Sequence, residues 1–210
     1  VVVDETYVEY AVEGGGAGSL IPALEQFANL VILRTLSKSH AAAGIRCGCS
    51  VAAADITGVM QKVLAPYPVP QPVMNAALTI LDKGNQQRLA AKRAEVSVRR
   101  DDVITALGEI EDIIRVWPSD ANFVLVEALD AEALCQRARA GGVVLRNQSH
   151  QHGVGEAVRI SIGSAEEMAQ LMAALRGETI VSAAKNRQNK IVRKTSETVI
   201  SVAVDLDRAG

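Results

Sequence analysis

Residues 34–46 read RTLSKSHAAAGIR. They follow the apolar run Leu30-Val-Ile-Leu33 and hold one lysine, Lys38, among small and mostly uncharged neighbours. A short apolar run ending in a polar turn reads as a buried strand that delivers side chains at its C-terminal end. The same pattern occurs upstream, where Val1-Val-Val3 is followed by Asp4. Short continuous apolar runs separated by loops and helices fit a parallel sheet covered on both faces. Such sheets bind ligands at the carboxyl ends of their strands, where Asp4 and the turn Thr35–Lys38 belong.

Lys38 has two readings, a solvated lysine at a helix start and a covalent nucleophile. A nucleophilic lysine must be neutral part of the time, and its unperturbed pKa is about 10.4. Desolvation or nearby positive charge lowers that value, and imine formation with an aldehyde removes the charge outright. An anionic aldehyde would also need phosphate donors. Thr35 and Ser37 supply hydroxyls, the turn supplies backbone N–H groups, and Arg46 supplies a bidentate clamp. Gly44 is expected to let the backbone turn tightly before Arg46. Asp4 can pair with a protonated ring nitrogen, and Tyr7 can donate to a ring oxygen.

The remaining sequence reads as a second, compact α+β pattern. APYPVPQPV (65–73) cannot be helix interior and is expected to be an extended connector, with a polyproline ligand as the alternative. Asn85–Leu107 is helical, with Leu89, Val96, Val103, Ile104 and Leu107 on its apolar face. Its lysines and arginines are read as a solvated face. ANFVLVEA (121–128), VVLR (143–146) and EAVRISIG (156–163) read as strands. Asp130 is placed as the N-cap of a helix ending near Gly141-Gly142. Ser164 and Glu167 form a capping box for a helix closed by Gly177. Beyond that, SAAKNRQNK is linker-like, and ETVISVAVDLD alternates as a half-buried strand. A boundary is expected near residue 180.

Composition sets outer limits. The chain has 210 residues with a net charge of −2, so no strong field favours nucleic acid or an anionic membrane. No apolar run approaches the roughly 20 residues that span a bilayer. Three cysteines, Cys47, Cys49 and Cys135, make no disulfide framework or metal set and read as reduced thiols in the core of a cytoplasmic protein. The chain opens on VVVDETY without a methionine and ends just after a strand pattern, so a fragment of a longer protein is expected.

Asp4-Glu-Thr-Tyr7, Thr35-Leu-Ser-Lys38 and Gly44-x-Arg46 together resemble the fold-type I pyridoxal-phosphate aminotransferases. The lysine-to-arginine interval, 46 − 38 = 8, matches that family. The order VVVDETYVEY, APYPVPQPV, WPSDANFVLV, VVLRNQS, VRISIG resembles histidinol-phosphate aminotransferases over residues 1 to about 177. The resemblance implies an α/β fold: the C-terminal part of a large, mostly parallel PLP-binding domain (1–75), an interdomain helical segment (76–108) and a small α+β domain (109–178). It implies pyridoxal 5'-phosphate as cofactor, with Lys38 as its covalent attachment point and proton carrier. Asp4 would bind the ring nitrogen, Tyr7 the ring oxygen, and Thr35, Ser37 and Arg46 the phosphate. Arg159, with Arg146 and Asn122, would grip the substrate. The implied reaction interconverts histidinol phosphate and imidazole acetol phosphate with 2-oxoglutarate and glutamate, in a cytoplasmic homodimer that binds neither nucleic acid nor membrane.

Ser39-His40-Ala-Ala-Ala43 departs from that family, which has an aromatic residue and a leucine before the glycine. His40 reads as a packing substitution or a general base. The glycine-rich phosphate loop and the ring-stacking aromatic are expected before Val1. KIVRKTSETVISVAVDLDRAG (190–210) resembles the first strand of imidazoleglycerol-phosphate dehydratase, so residues 179–210 are read as a linker and the start of a fused pathway enzyme. Alternatives are another fold-type I aminotransferase, a phosphothreonine-type decarboxylase, a non-catalytic fragment, or a metal-dependent dehydratase centred on the tail.

Overall fold

Both apolar runs form strands, β1 (Val2–Asp4) and β2 (Val31–Thr35), paired in parallel with Asp4 opposite Leu33. A third strand, β3 (Gly48–Ala52), joins β2 antiparallel and places Gly48 opposite Thr35. The computed structural model describes residues 1–178, 188–194 and 199–205. Contacts divide the chain into two units, Val1–Glu178 and Thr179–Gly210.

Gly48 explains the middle of the C-x-C motif. A Cβ there would lie 2.9 Å from the Arg34 carbonyl, closer than the strand pair tolerates. The cysteines themselves are all free. Only Cys135 is buried; Cys47 is half-buried and Cys49 is exposed on β3, which corrects their assignment to a core.

Between β1 and β2 lies helix α1 (Val8–Glu13), and after β3 come α2 (Ala54–Val63) and α3 (Gln71–Leu81). The proline-rich connector is shorter than the sequence suggests. Pro70 is the N-cap of α3 and Pro72 lies in its first turn, where the missing N–H costs nothing.

Helix α4 (Lys83–Leu107) begins at Asp82, whose carboxylate accepts from the Gly84 N–H at 2.9 Å. Its buried residues are Leu89, Arg93, Ser97, Arg100, Val103 and Leu107. The intervals of three and four place them on one face. Reading every basic residue of this helix as solvated is therefore wrong for Arg93 and Arg100. They share the inward face because each finds acceptors across the helix: Ser39 and Glu13 for Arg93, Ala121 for Arg100.

A second sheet, in the order β4-β5-β7-β6, follows. It comprises β4 (Ile113–Val116), β5 (Phe123–Ala128), β6 (Arg146–Asn147) and β7 (Ala157–Ser161), all antiparallel neighbours. Only the last residue of VVLR enters β6; Val143 and Leu145 pack on the core instead. Val158, Ile160 and Ile162 are buried while Ser161 is exposed, as the alternation requires. Helix α5 (Ala131–Ala140) is capped by Asp130, which accepts from Ala133 N at 2.9 Å. Helix α6 (Ala165–Leu175) has the Ser164–Glu167 capping box. The core gathers one face of this sheet, α5, α6 and the C-terminal half of α4.

The second unit contains an antiparallel hairpin of β8 (Gln188–Lys194) and β9 (Val199–Asp205). Gln188–Lys190, read as linker, belong to β8. The rest of that linker and Leu206 lie outside the described residues.

Leu171 is fully buried in the first unit's core. Leu171→Ala is expected to cost about 2–5 kcal/mol, read as a lower denaturation midpoint with unchanged secondary structure by circular dichroism.

Candidate active site

The carboxyl end of β1 and the end of β2 form one rim. Asp4 closes β1 and is exposed; its Oδ1 accepts from the Thr6 N–H at 2.9 Å and from the Thr6 hydroxyl. Oδ2 has no partner among the described residues. Tyr7 caps α1 three residues later.

Beyond β2 the chain makes a tight turn. Thr35 Oγ1 donates to the Cys47 carbonyl at 3.1 Å and accepts from the Ser37 N–H at 3.1 Å, and it lies 2.9 Å from Ser37 Oγ. The Leu36 N–H donates to the Cys47 carbonyl at 3.1 Å, which carries the β2–β3 contact one residue past the end of the strand. Lys38 is exposed, and Nζ makes no hydrogen bond or ion pair among the described residues. The turn closes through Ala41 N to Lys38 O at 3.0 Å and Ala42 N to Leu36 O at 3.1 Å.

Gly44 does not carry this turn. The left-handed residues are Ala41 (φ 53°) and Arg46 (φ 54°), while Gly44 has no positive φ. Non-glycine residues there store strain on the order of 1–2 kcal/mol each. Arg46 is exposed and spends one donor on the Ala43 carbonyl at 3.0 Å, leaving the rest of its fork open.

The second sheet contributes the other wall. Arg159 on β7 lies opposite Arg146 on β6, so both side chains leave one face. Arg159 Nε is buried and has no partner among the described residues. Its guanidinium sits 5.1 Å over the Phe123 ring. Phe123 in turn meets Tyr7 edge-on, with centroids 5.4 Å apart and planes at 78°. Asn122 is half-buried, and its carbonyl accepts from Ile162 N at 2.9 Å. A continuous path therefore runs from Tyr7 through Phe123 to Arg159.

Beneath the rim lies an ion network that the sequence reading did not identify. Glu5 is buried and accepts from Ser19 Oγ at 2.7 Å, Leu20 N at 2.6 Å and Arg34 Nη1 at 3.3 Å. Arg34 also pairs with Glu9. Burial works to raise the Glu9 pKa, but hydrogen bonds from its backbone, Arg34 and Ser39, with the Arg34 charge, hold it below the ordinary value of a glutamate. The position of Glu5 directly after Asp4 was the one available signal.

His40 points into this network rather than at Lys38: its Nδ1 lies 2.9 Å from the Ser39 hydroxyl. Burial lowers its pKa, and Arg93 and Arg34 add to that, against Glu9 and a hydrogen bond with Gln86. No group of His, Cys, Asp and Glu among the described residues could hold a metal ion.

Residues 1–175 match the family Aminotransferase class I and II. The chain belongs to this family. Among the aminotransferases, the "Histidinol-phosphate aminotransferase 2" of Idiomarina loihiensis is 43% identical over 176 residues, 84% of this chain and 48% of that protein. The solved histidinol-phosphate aminotransferase of Clostridium acetobutylicum superposes with a TM-score of 0.75 at 24% identity, over 84% of this chain and 53% of its own. That of Sinorhizobium meliloti, in complex with pyridoxal-5'-phosphate, gives 0.67 at 24% identity, over 84% of this chain and 48% of its own. The chain spans about half the length of the curated relatives it matches. No described helix is long and apolar enough to cross a membrane.

Both His40 and Glu9 have folded pKa values below their unfolded ones, so the unfolded chain takes up each proton first as pH falls. Their stabilisation is complete above the unfolded pKa, about 6.5 for His and 4.3 for Glu, and is lost as pH drops through the lower folded values. Denaturation midpoints from pH 8 to 3 are expected to fall in two stages. His40→Asn should remove the step just below pH 6.5, and Glu9→Gln the step below pH 4.3.

Proposed function

We propose that this chain is the C-terminal part of a pyridoxal-phosphate-dependent histidinol-phosphate aminotransferase. The supporting observation is the Arg146–Arg159 pair. Two like charges directly opposite on neighbouring strands destabilise a sheet unless an anion lies between them. Arg159 also keeps a buried donor without a partner among the described residues. A phosphate monoester satisfies both, and bidentate guanidinium contacts suit its geometry.

The donor set at the rim fits pyridoxal 5'-phosphate. Two hydroxyls and the Arg46 guanidinium suit the phosphate, Asp4 Oδ2, without a partner among the described residues, suits the ring nitrogen, and the Lys38 amine, unpaired among those residues, lies at the same sheet end. When bound, the cofactor supplies an aldehyde and an electron-withdrawing ring that stabilises negative charge at the substrate's Cα. Lys38 Nζ would hold the aldehyde at rest and, once freed by the substrate amine, would carry the proton between the substrate's Cα and the cofactor carbon. Asp4 keeps the ring nitrogen protonated. Tyr7 orients the ring through its hydroxyl, with its own ring held by Phe123. Thr35, Ser37 and Arg46 hold the phosphate, and Arg159, Arg146 and Asn122 orient the substrate. The whole protein, in this reading, is a cytoplasmic homodimer whose large and small domains join near residues 76–108.

For the second unit we read the β8–β9 hairpin as the start of a fused dehydratase-like domain. The alternation of residues 200, 202 and 204 in the sequence supports this, although Val202 is exposed rather than half-buried as expected. Proteomic detection of one polypeptide carrying peptides from residues 1–178 and from a downstream dehydratase tests it; two separate polypeptides would refute it.

Adding pyridoxal phosphate and then borohydride should place a reduced adduct on Lys38, found by peptide mass spectrometry and lost in Lys38→Ala. The full-length protein should transaminate histidinol phosphate with 2-oxoglutarate. Lys38→Ala should reduce kcat at least about 10²–10⁴-fold, and Arg159→Gln should raise KM for the phosphate substrate roughly 10- to 100-fold. Turnover of an aromatic amino acid but not histidinol phosphate would overturn the substrate assignment. Lack of any adduct would overturn the cofactor.

A further inference from the structure

We propose that Arg93 is a positioning residue for Lys38, acting on the backbone beside it from the opposite side of the turn. The proposal rests on Lys38 being the nucleophile. Since Lys38 Nζ makes no hydrogen bond or ion pair among the described residues, no polar partner fixes the amine and its placement rests on the backbone that carries it. One side of that backbone is tied to the sheet, through Leu36 N to Cys47 O and Ala42 N to Leu36 O. The other side is tied to α4. Arg93 Nη1 donates to the Ser39 carbonyl at 3.3 Å, across 54 residues, in a buried contact. Arg93 Nη2 donates to Glu13 Oε1 at 3.1 Å, which fixes the guanidinium to α1.

A guanidinium is required here. Its planar fork reaches a carbonyl and a carboxylate at once, which one ammonium cannot do at fixed geometry. Arg93 is 8% exposed and Ser39 is 2% exposed, so water does not replace the contact between them, whereas Glu13 stands at the surface. The turn they hold contains the left-handed Ala41, a conformation that persists only when its surroundings impose it. Arg100 lies on the same face of α4, 100 − 93 = 7 residues on, and donates to the Ala121 carbonyl at 3.2 Å. Seven residues of helix span roughly 10 Å. One rigid helix thus sets the spacing between the backbone at Lys38 and the backbone at Asn122.

The test compares wild type, Arg93→Lys and Arg93→Met in the full-length protein. In the apoprotein, hydrogen exchange at the Ala41 and Ala42 amides should rise roughly 10- to 100-fold in Arg93→Met, with Arg93→Lys between it and wild type. Exchange in β5 and α6 should not change. In the cofactor-loaded protein kcat should fall, while KM for the amine stays within about twofold. Wild-type exchange at Ala41 and Ala42 in folded Arg93→Met, or a uniform loss of protection across residues 1–178, overturns the proposal. If Arg93→Met does not fold, Arg93→Lys decides: faster exchange confined to the turn supports it, and no change overturns it. If Lys38 binds no cofactor, wild type traps no adduct with borohydride, whereas the apoprotein comparison still reads the clamp.

Discussion

The guanidinium of Arg34 lies between two carboxylates, Glu5 after β1 and Glu9 in α1. Its partners are largely withdrawn from water, so the ion pairs act in a medium of lower dielectric than a surface pair would. The consequence is geometric. Arg34 is the penultimate residue of β2, and Glu5 follows the last residue of β1, so the pairing locks the two strand ends at one level. Asp4, Thr35 and Ser37 inherit their positions from that lock. Glu5 also holds the Ser19–Leu20 loop, which extends the constraint to the segment leading back to β2.

Helix α4 passes the same constraint to the second sheet. Its inward stripe combines apolar Leu89, Val103 and Leu107 with Ser97 and two arginines, and each arginine reaches a carbonyl or carboxylate of another element. Burying a cation this way is tolerable only when its partners are complete. Arg93 Nε and Ser97 Oγ remain without partners among the described residues, so the stripe is not optimised for stability alone. It joins the Lys38 turn to the edge of the second sheet at Ala121.

Much of this was legible in the sequence because the signals are local. Asp130, Ser164 and Glu167 announce helix starts through side chains that reach their own backbone, and Val158, Ile160 and Ile162 announce a strand by alternation. The order Asp4, Lys38, Arg46, Arg159 pointed to one site, and the fold brings Tyr7 and Arg159 together on either side of Phe123. What stayed hidden depends on distant partners. Arg93 and Arg100 looked solvated because sequence does not show that Ser39, Glu13 and Ala121 lie opposite them. Gly44 looked like the turn residue because glycine tolerates positive φ, yet tertiary contacts impose that conformation on Ala41 and Arg46. Val143 and Leu145 suited a strand, but the core takes them as packing residues.

The β8–β9 hairpin has two outer edges. Within each strand only half of the backbone donors and acceptors face the partner strand; the others point outward. A ribbon of two strands is marginal in water unless its outward groups are solvated or another strand joins. Among the described residues its valence is therefore open, and the backbone of residues 188–194 and 199–205 is a template for sheet extension. A protein trimmed at Glu178 keeps every residue of the first unit's core and sheds that template, so trimming there changes solubility and self-association through the backbone.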